Sequence, residues 1–157
     1  MPIARVNGIK LYYEEAGTGS PLIWVHGFGC GIRSWDPQVE RLSNSCRVIT
    51  YDVRGFGISD APESAAAYSQ AISVADLAAL IEHLGIERAV IGGLSMGGNI
   101  ALNFAIAHPQ RVSALIIADT GAGSDNTEEW IESSHRYDVP VEQGFAFITD
   151  TANWPTF

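Results

Sequence analysis

The hexapeptide GLSMGG at residues 93–98 follows the apolar run Ala89, Val90 and Ile91 and precedes a stretch of small, helix-compatible residues reaching Ala107. Such a pattern predicts a buried strand that turns sharply into a helix. Glycine is required at Gly93 and Gly97 because the residue between them takes a strained backbone. A Cβ at either position would collide with the neighbouring strand or helix. Ser95 is thereby presented as a nucleophile at the tip of the turn.

The rest of the chain supplies a sheet for that turn to stand on. Residues 3–6 and 10–14 alternate apolar and polar side chains about Asn7-Gly8, a strong two-residue hairpin signal. Pro21 introduces the apolar run Leu22, Ile23, Trp24 and Val25, and the next buried strand is placed at 47–51. Continuous apolar runs of this length belong to strands buried on both faces. A short helix is expected from Asp36-Pro37 to Leu42, between those two strands. Ser73 with Asp76 three residues later reads as a capping box, after which Val74, Leu77, Leu80, Ile81 and Leu84 recur at helical spacing until Gly85. The strand feeding the turn is placed at 87–92, the helix after it at 96–107, and a last clear strand at 112–118. His108-Pro109 closes the helix at 96–107 because proline cannot continue it. The reading is an α/β fold: a mostly parallel sheet with an antiparallel N-terminal hairpin and helices on both faces.

From Gly121 the character changes to GAGSDNTEE, and Pro140 interrupts the helical pattern that follows. Two segments are therefore expected, a core at 1–123 and the start of a lid or cap at 124–157. The second carries Trp130, Phe145, Phe147, Trp154 and Phe157, more aromatic surface than a short exposed segment solvates well. These rings cover either an apolar pocket or the unfinished side of the core.

Composition narrows the partners. The chain has 157 residues, 46% of them apolar and 17% charged, which suits a compact globular domain. Nine basic against 18 acidic residues give a net charge of −9, which repels phosphate backbones and anionic membrane surfaces, so no nucleic-acid or membrane partner is expected. No apolar run approaches the roughly 20 residues that span a bilayer, and the N-terminus lacks a secretion pattern. A cytoplasmic location is the expectation. Cys30 and Cys46 make neither a disulfide framework nor a metal-ligand spacing.

Together, HGFG at 26–29, DVRGFGISD at 52–60, GLSMGG at 93–98 and the strand-end ADT at 118–120 resemble the α/β-hydrolase superfamily. The similarity is to its serine esterase and lactonase branch, which includes the 3-oxoadipate enol-lactonases. Because Ser95 stands where a carboxylate would be needed, the epoxide-hydrolase and haloalkane-dehalogenase branches are disfavoured. The resemblance implies a family domain of about 250 residues, of which this chain matches the N-terminal part and stops before the last two strands. It further implies that Ser95 forms an acyl-enzyme on an ester or lactone, with no cofactor. The backbone N–H groups of Phe28 and Met96 would form the oxyanion hole, and Gly27 and Trp130 would line the substrate pocket.

The triad base normally follows the last strand of this fold. His26 is expected to hold its loop in shape rather than act as base. His108 lies about 18 Å from the start of its helix at 1.5 Å per residue, and His135 reads as surface. Asp119, at the end of the strand beside the turn, is the candidate triad acid; its alternative role is to hydrogen-bond the turn at Thr120-Gly121. Arg54, beside Asp52 and Asp60, reads as an internal ion pair within an architectural turn. The rival reading is a non-catalytic fragment, a binding or assembly module. In either case an uncovered edge at 112–118 invites pairing with a second copy or a complementing chain.

Overall fold

The computed structural model describes residues 2–120. Six strands form one sheet in the spatial order β1 (Ile3–Val6), β2 (Ile9–Ala16), β4 (Cys46–Tyr51), β3 (Ser20–Val25), β5 (Ala89–Leu94) and β6 (Val112–Ala118). β1, β2 and β4 pair antiparallel, whereas β4, β3, β5 and β6 run parallel. The hairpin turns at Asn7, whose φ of 46° is the left-handed conformation that asparagine tolerates. β2 is longer than its alternating stretch suggested, because its outer half pairs with β4 through Tyr13↔Tyr51 to Ala16↔Val48.

Alternation along each buried strand divides two cores. Leu22 and Trp24 of β3 join Val48 and Trp35 on one face, where α1 (Asp36–Leu42) adds Val39 and Leu42. The Trp24 and Trp35 rings stack there at 4.4 Å. Ile23 and Val25 face the other way, with Ile49, Tyr51 and Ile91, against Leu77, Leu80 and Ile81 of α2 (Gln70–His83) and Ile100, Ala101 and Phe104 of α3 (Met96–Ala107). Helices on both faces explain why β3 reads as an unbroken apolar run over residues 22–25.

The N-terminus of α2 corrects the capping-box expectation. Ser69 is the N-cap, its hydroxyl accepting the Ile72 amide at 3.1 Å, and Ser73 lies inside the first turn with its own hydroxyl donating to the Ser69 carbonyl. Asp76 is 1% exposed and binds Arg54 through two bonds, Nε to Oδ2 at 2.8 Å and Nη2 to Oδ1 at 2.7 Å. Arg54 thus forms the internal ion pair that its sequence position suggested, but with Asp76 rather than Asp52 or Asp60. A spacing of three residues satisfied the capping pattern by coincidence; helical register turned the carboxylate inward.

Every parallel strand delivers a distinctive segment from its carboxyl end: the 26–31 loop after β3, the 52–60 turn after β4, Ser95 after β5 and Asp119 after β6. β3 lies between β4 and β5, and the helices that follow β3 and β5 sit on opposite faces, which opens a crevice at that point of the sheet. The segment 124–157, including Trp130 and His135, lies outside the described residues.

Candidate active site

Ser95 has φ 51° and ψ −117°, a conformation that costs a non-glycine residue about 1–3 kcal/mol unless its surroundings enforce it. Close packing enforces it here. A methyl on Gly93 would overlap the Gly97 carbonyl, and one on Gly97 would overlap the carbonyls of Val25 and His26. The first turn of α3 therefore presses directly on the exit of β3. Both backbone groups of Ser95 are held as well: its N–H donates to the Ala118 carbonyl at 3.0 Å, and its carbonyl accepts the Asn99 amide at 3.0 Å. The side chain stands exposed at the turn's tip.

The 26–31 loop lies alongside. A Cβ on Gly27 would come within 3.7 Å of the Ser95 Cβ, so this loop and the Ser95 turn are in near contact. The Cys30 amide closes the loop onto the Gly27 carbonyl at 3.2 Å. Among the described residues, the amides of Phe28 and Met96 donate to no protein acceptor. Met96 opens α3, whose N-terminal dipole favours negative charge beside it. The Phe28 ring is 74% exposed and meets Phe56 edge-on at 5.5 Å.

Three groups brace this loop from beneath. His26, fully buried, accepts the Val53 amide at Nε2 (2.9 Å), so Nδ1 carries the hydrogen and donates to the Gly27 carbonyl at 2.8 Å. Burial pushes its pKa below the usual 6.5, against the opposing pull of the Gly27 carbonyl and the Asp52 charge. The Asp52 carboxylate accepts the Ile32 amide at 3.0 Å and the Ile58 amide at 2.9 Å, tying the far end of the loop to the 52–60 turn. Phe56 fills the space between, edge-on to His26 at 5.4 Å and to Phe28.

Asp119 follows β6 with φ 47°, one residue beyond the Ala118 that holds Ser95, and its side chain is exposed. Its alternative role, in the turn at Thr120-Gly121, reaches outside the described residues; beside it, the Thr120 hydroxyl lies 2.8 Å from the Ser95 carbonyl and 3.0 Å from that of Ala118. Sequence reasoning missed this contact, as it missed the two-sided grip of Asp52. Thr120 was legible only as part of the ADT match, and a hydroxyl bonding across 25 residues leaves no local pattern. No described histidine reaches Ser95: His26 has both nitrogens engaged, His83 sits on α2 against Tyr13, and His108 packs on Phe104 at the far end of α3. Among the described residues no group of three His, Cys, Asp or Glu side chains could hold a metal ion, and no helix is long and apolar enough to cross a membrane.

A mixed sheet of this order with a strained strand-to-helix turn at its crevice is the arrangement of the α/β hydrolases. The chain belongs to that family, matching the alpha/beta hydrolase fold over residues 20–145. It is 35% identical to the 2-hydroxymuconate semialdehyde hydrolase of Pseudomonas sp. (strain CF600) over 133 residues, 83% of this chain and 47% of that protein. Epoxide hydrolase 3 of Xenopus tropicalis is 39% identical over 113 residues, 71% of this chain and 31% of its own length. Among solved structures, the enol-lactonase from Burkholderia xenovorans LB400 superimposes with a TM-score of 0.78 at 30% identity, over 96% of this chain and 58% of that one. The chain thus spans between about a third and a half of the length of these two curated relatives.

Proposed function

We propose that this chain carries the nucleophile and oxyanion half of a serine hydrolase that acts on a carboxylic ester or a lactone. The observation that supports this best is a hydroxyl, rather than a carboxylate, at the strained tip of the β5–α3 turn, in near contact with the Gly27 loop. Ser95 Oγ attacks the substrate carbonyl carbon while a base takes its proton, and the carbonyl oxygen becomes an oxyanion held by the amides of Phe28 and Met96. Collapse of that intermediate expels the alkoxide, which takes the proton; in a lactone the new hydroxyl stays on the acyl chain. Water then attacks the acyl-enzyme and frees Ser95. No step requires a cofactor.

The likeness to an epoxide hydrolase does not extend to this chemistry. Opening an epoxide with a serine would leave an ether, which offers water no carbonyl to attack, so that reaction needs a carboxylate nucleophile. The general base is assigned to residues outside 2–120, and Asp119 to orienting it. Gly27 is assigned to the substrate pocket, on its approach to Ser95.

A second reading is favoured by the lack of a base among the described residues: a member of the family that binds small apolar ligands without turning them over. Two measurements separate the readings. A fluorophosphonate probe is expected to label the protein at Ser95, read by peptide mass, and p-nitrophenyl acetate turnover is expected to vanish in Ser95→Ala and to fall about a hundredfold in Asp119→Asn. Labelling elsewhere, or turnover surviving in Ser95→Ala, overturns the assignment. Absence of both labelling and turnover establishes the inert reading.

A further inference from the structure

The strained residue at the tip of the turn is gripped from one direction that the hydrolase reading leaves unexplained. Leu94 pairs with Ala118 at the ends of β5 and β6, and the next residue on each strand, Ser95 and Asp119, has positive φ. Asp119 at φ 47° turns the chain back, and this brings the Thr120 hydroxyl to 2.8 Å from the Ser95 carbonyl oxygen. The Ala118 carbonyl, at 3.0 Å, already accepts the Ser95 amide. The hydroxyl faces both carbonyls, with the Ser95 oxygen its nearer acceptor.

Gly98 shows that space is reserved for this contact. A methyl there would overlap Thr120 Oγ1 and lie 2.8 Å from its Cβ. The last two glycines of GLSMGG therefore have separate reasons: Gly97 admits β3, and Gly98 admits the Thr120 hydroxyl.

The consequence follows from peptide geometry. The Ser95 carbonyl and the Met96 N–H belong to one planar peptide unit and point in opposite directions. Whatever fixes that carbonyl also aims that N–H. The Asn99 amide holds the carbonyl from the helix side and Thr120 holds it from the sheet side. We propose that Thr120 is a positioning residue: by binding the Ser95 carbonyl, it sets the direction of the Met96 amide at which the oxyanion forms. This deepens the serine-hydrolase reading and rests on it. Thr120 touches no reacting atom, so it acts on the stability of the charged intermediate rather than on substrate capture.

Thr120→Val keeps the side chain's shape and removes the hydroxyl, whereas Thr120→Ser keeps the hydroxyl. In p-nitrophenyl acetate turnover by the full chain, Thr120→Val is expected to lower kcat about tenfold or more with KM within twofold, while Thr120→Ser stays near the parent. Fluorophosphonate labelling of Ser95 should slow in parallel. The Met96 amide resonance, followed in 15N-labelled protein, should move in Thr120→Val and not in Thr120→Ser. A Thr120→Val protein with parental kcat, or one that only melts earlier at parental kcat, overturns the proposal. If the parent itself is neither labelled nor active, the hydrolase reading falls, and an unmoved Met96 resonance in Thr120→Val would then sink the clamp separately. Should Thr120→Val not fold, Thr120→Ala takes its place, and failure of both to fold makes the contact structural and overturns the positioning role.

Discussion

With Nε2 accepting the Val53 amide at 2.9 Å and Nδ1 donating to the Gly27 carbonyl at 2.8 Å, His26 has no lone pair left for a second proton. Burial lowers its pKa below 6.5, so the folded protein holds the neutral ring where the unfolded chain takes up a proton. Stability from this residue is therefore complete above pH 6.5 and is lost as pH falls below that value toward the folded pKa. Of the charged groups around it, Asp52 opposes the shift and limits its size. His26→Gln supplies an acceptor for Val53 but cannot titrate. Its urea midpoint should fall less between pH 7.5 and pH 5.5 than the parent's, and parallel pH profiles would refute the coupling. His26→Ala should cost about 2 kcal/mol at pH 7.5, because two buried backbone groups lose their partner. At this scale the sequence was most legible where the motif is contiguous. GLSMGG pointed to Ser95 and HGFG to the Gly27 loop, which come into near contact, and HGFG also pointed to the bracing role of His26. Thr120 and Asp52 were not legible in the same way, since their partners are fixed only when strand ends align.

At the scale of elements, Arg54 and Asp76 show how a pattern can fit and still mislead. The Asp76 carboxylate also accepts the Asn7 side-chain amide at 2.6 Å, so one buried acid joins the β1–β2 turn, the 52–60 turn and α2. Arg54 stays charged, its pKa raised by the hydrogen bonds to Asp76. Removing one member leaves the other charge buried without its counterpart, which costs about 3–5 kcal/mol. Asp76→Ala is expected to lose that much in denaturant unfolding, and Arg54→Met with Asp76→Leu together should lose less than Asp76→Ala alone. A double variant less stable than the single would show that the pair's contribution exceeds its desolvation. The strands were legible because burial on both faces writes an unbroken apolar run, as in residues 22–25. The start of α2 was not, because Ser69 lacks the acidic partner that marks a capping box and Ser73 has one by accident.

Over the whole molecule, the sheet is unequal at its two sides. β1 is a four-residue strand at one margin, a short edge of the kind that resists pairing. β6 at the other margin has seven residues and, among the described residues, pairs only with β5. Ile116 and Ile117 are 40% and 38% exposed there, unlike the fully buried Ile23 and Ile91 of the inner strands. A long apolar strand at a sheet margin is a template for another strand, and the net charge of −9 is too diffuse to guard one margin. The apolar run at 112–118 made the strand legible in advance, whereas what lies along its outer side depends on atoms beyond the strand. Pairing through β6 predicts that the 157-residue chain sediments as a species larger than 16.9 kDa, with the heavier fraction growing as concentration rises. Ile116→Lys places a charge on the edge without touching the Ser95 turn, and it should shift the distribution toward 16.9 kDa while fluorophosphonate labelling is unchanged. A single 16.9 kDa species at every concentration would show that the chain covers this strand by itself.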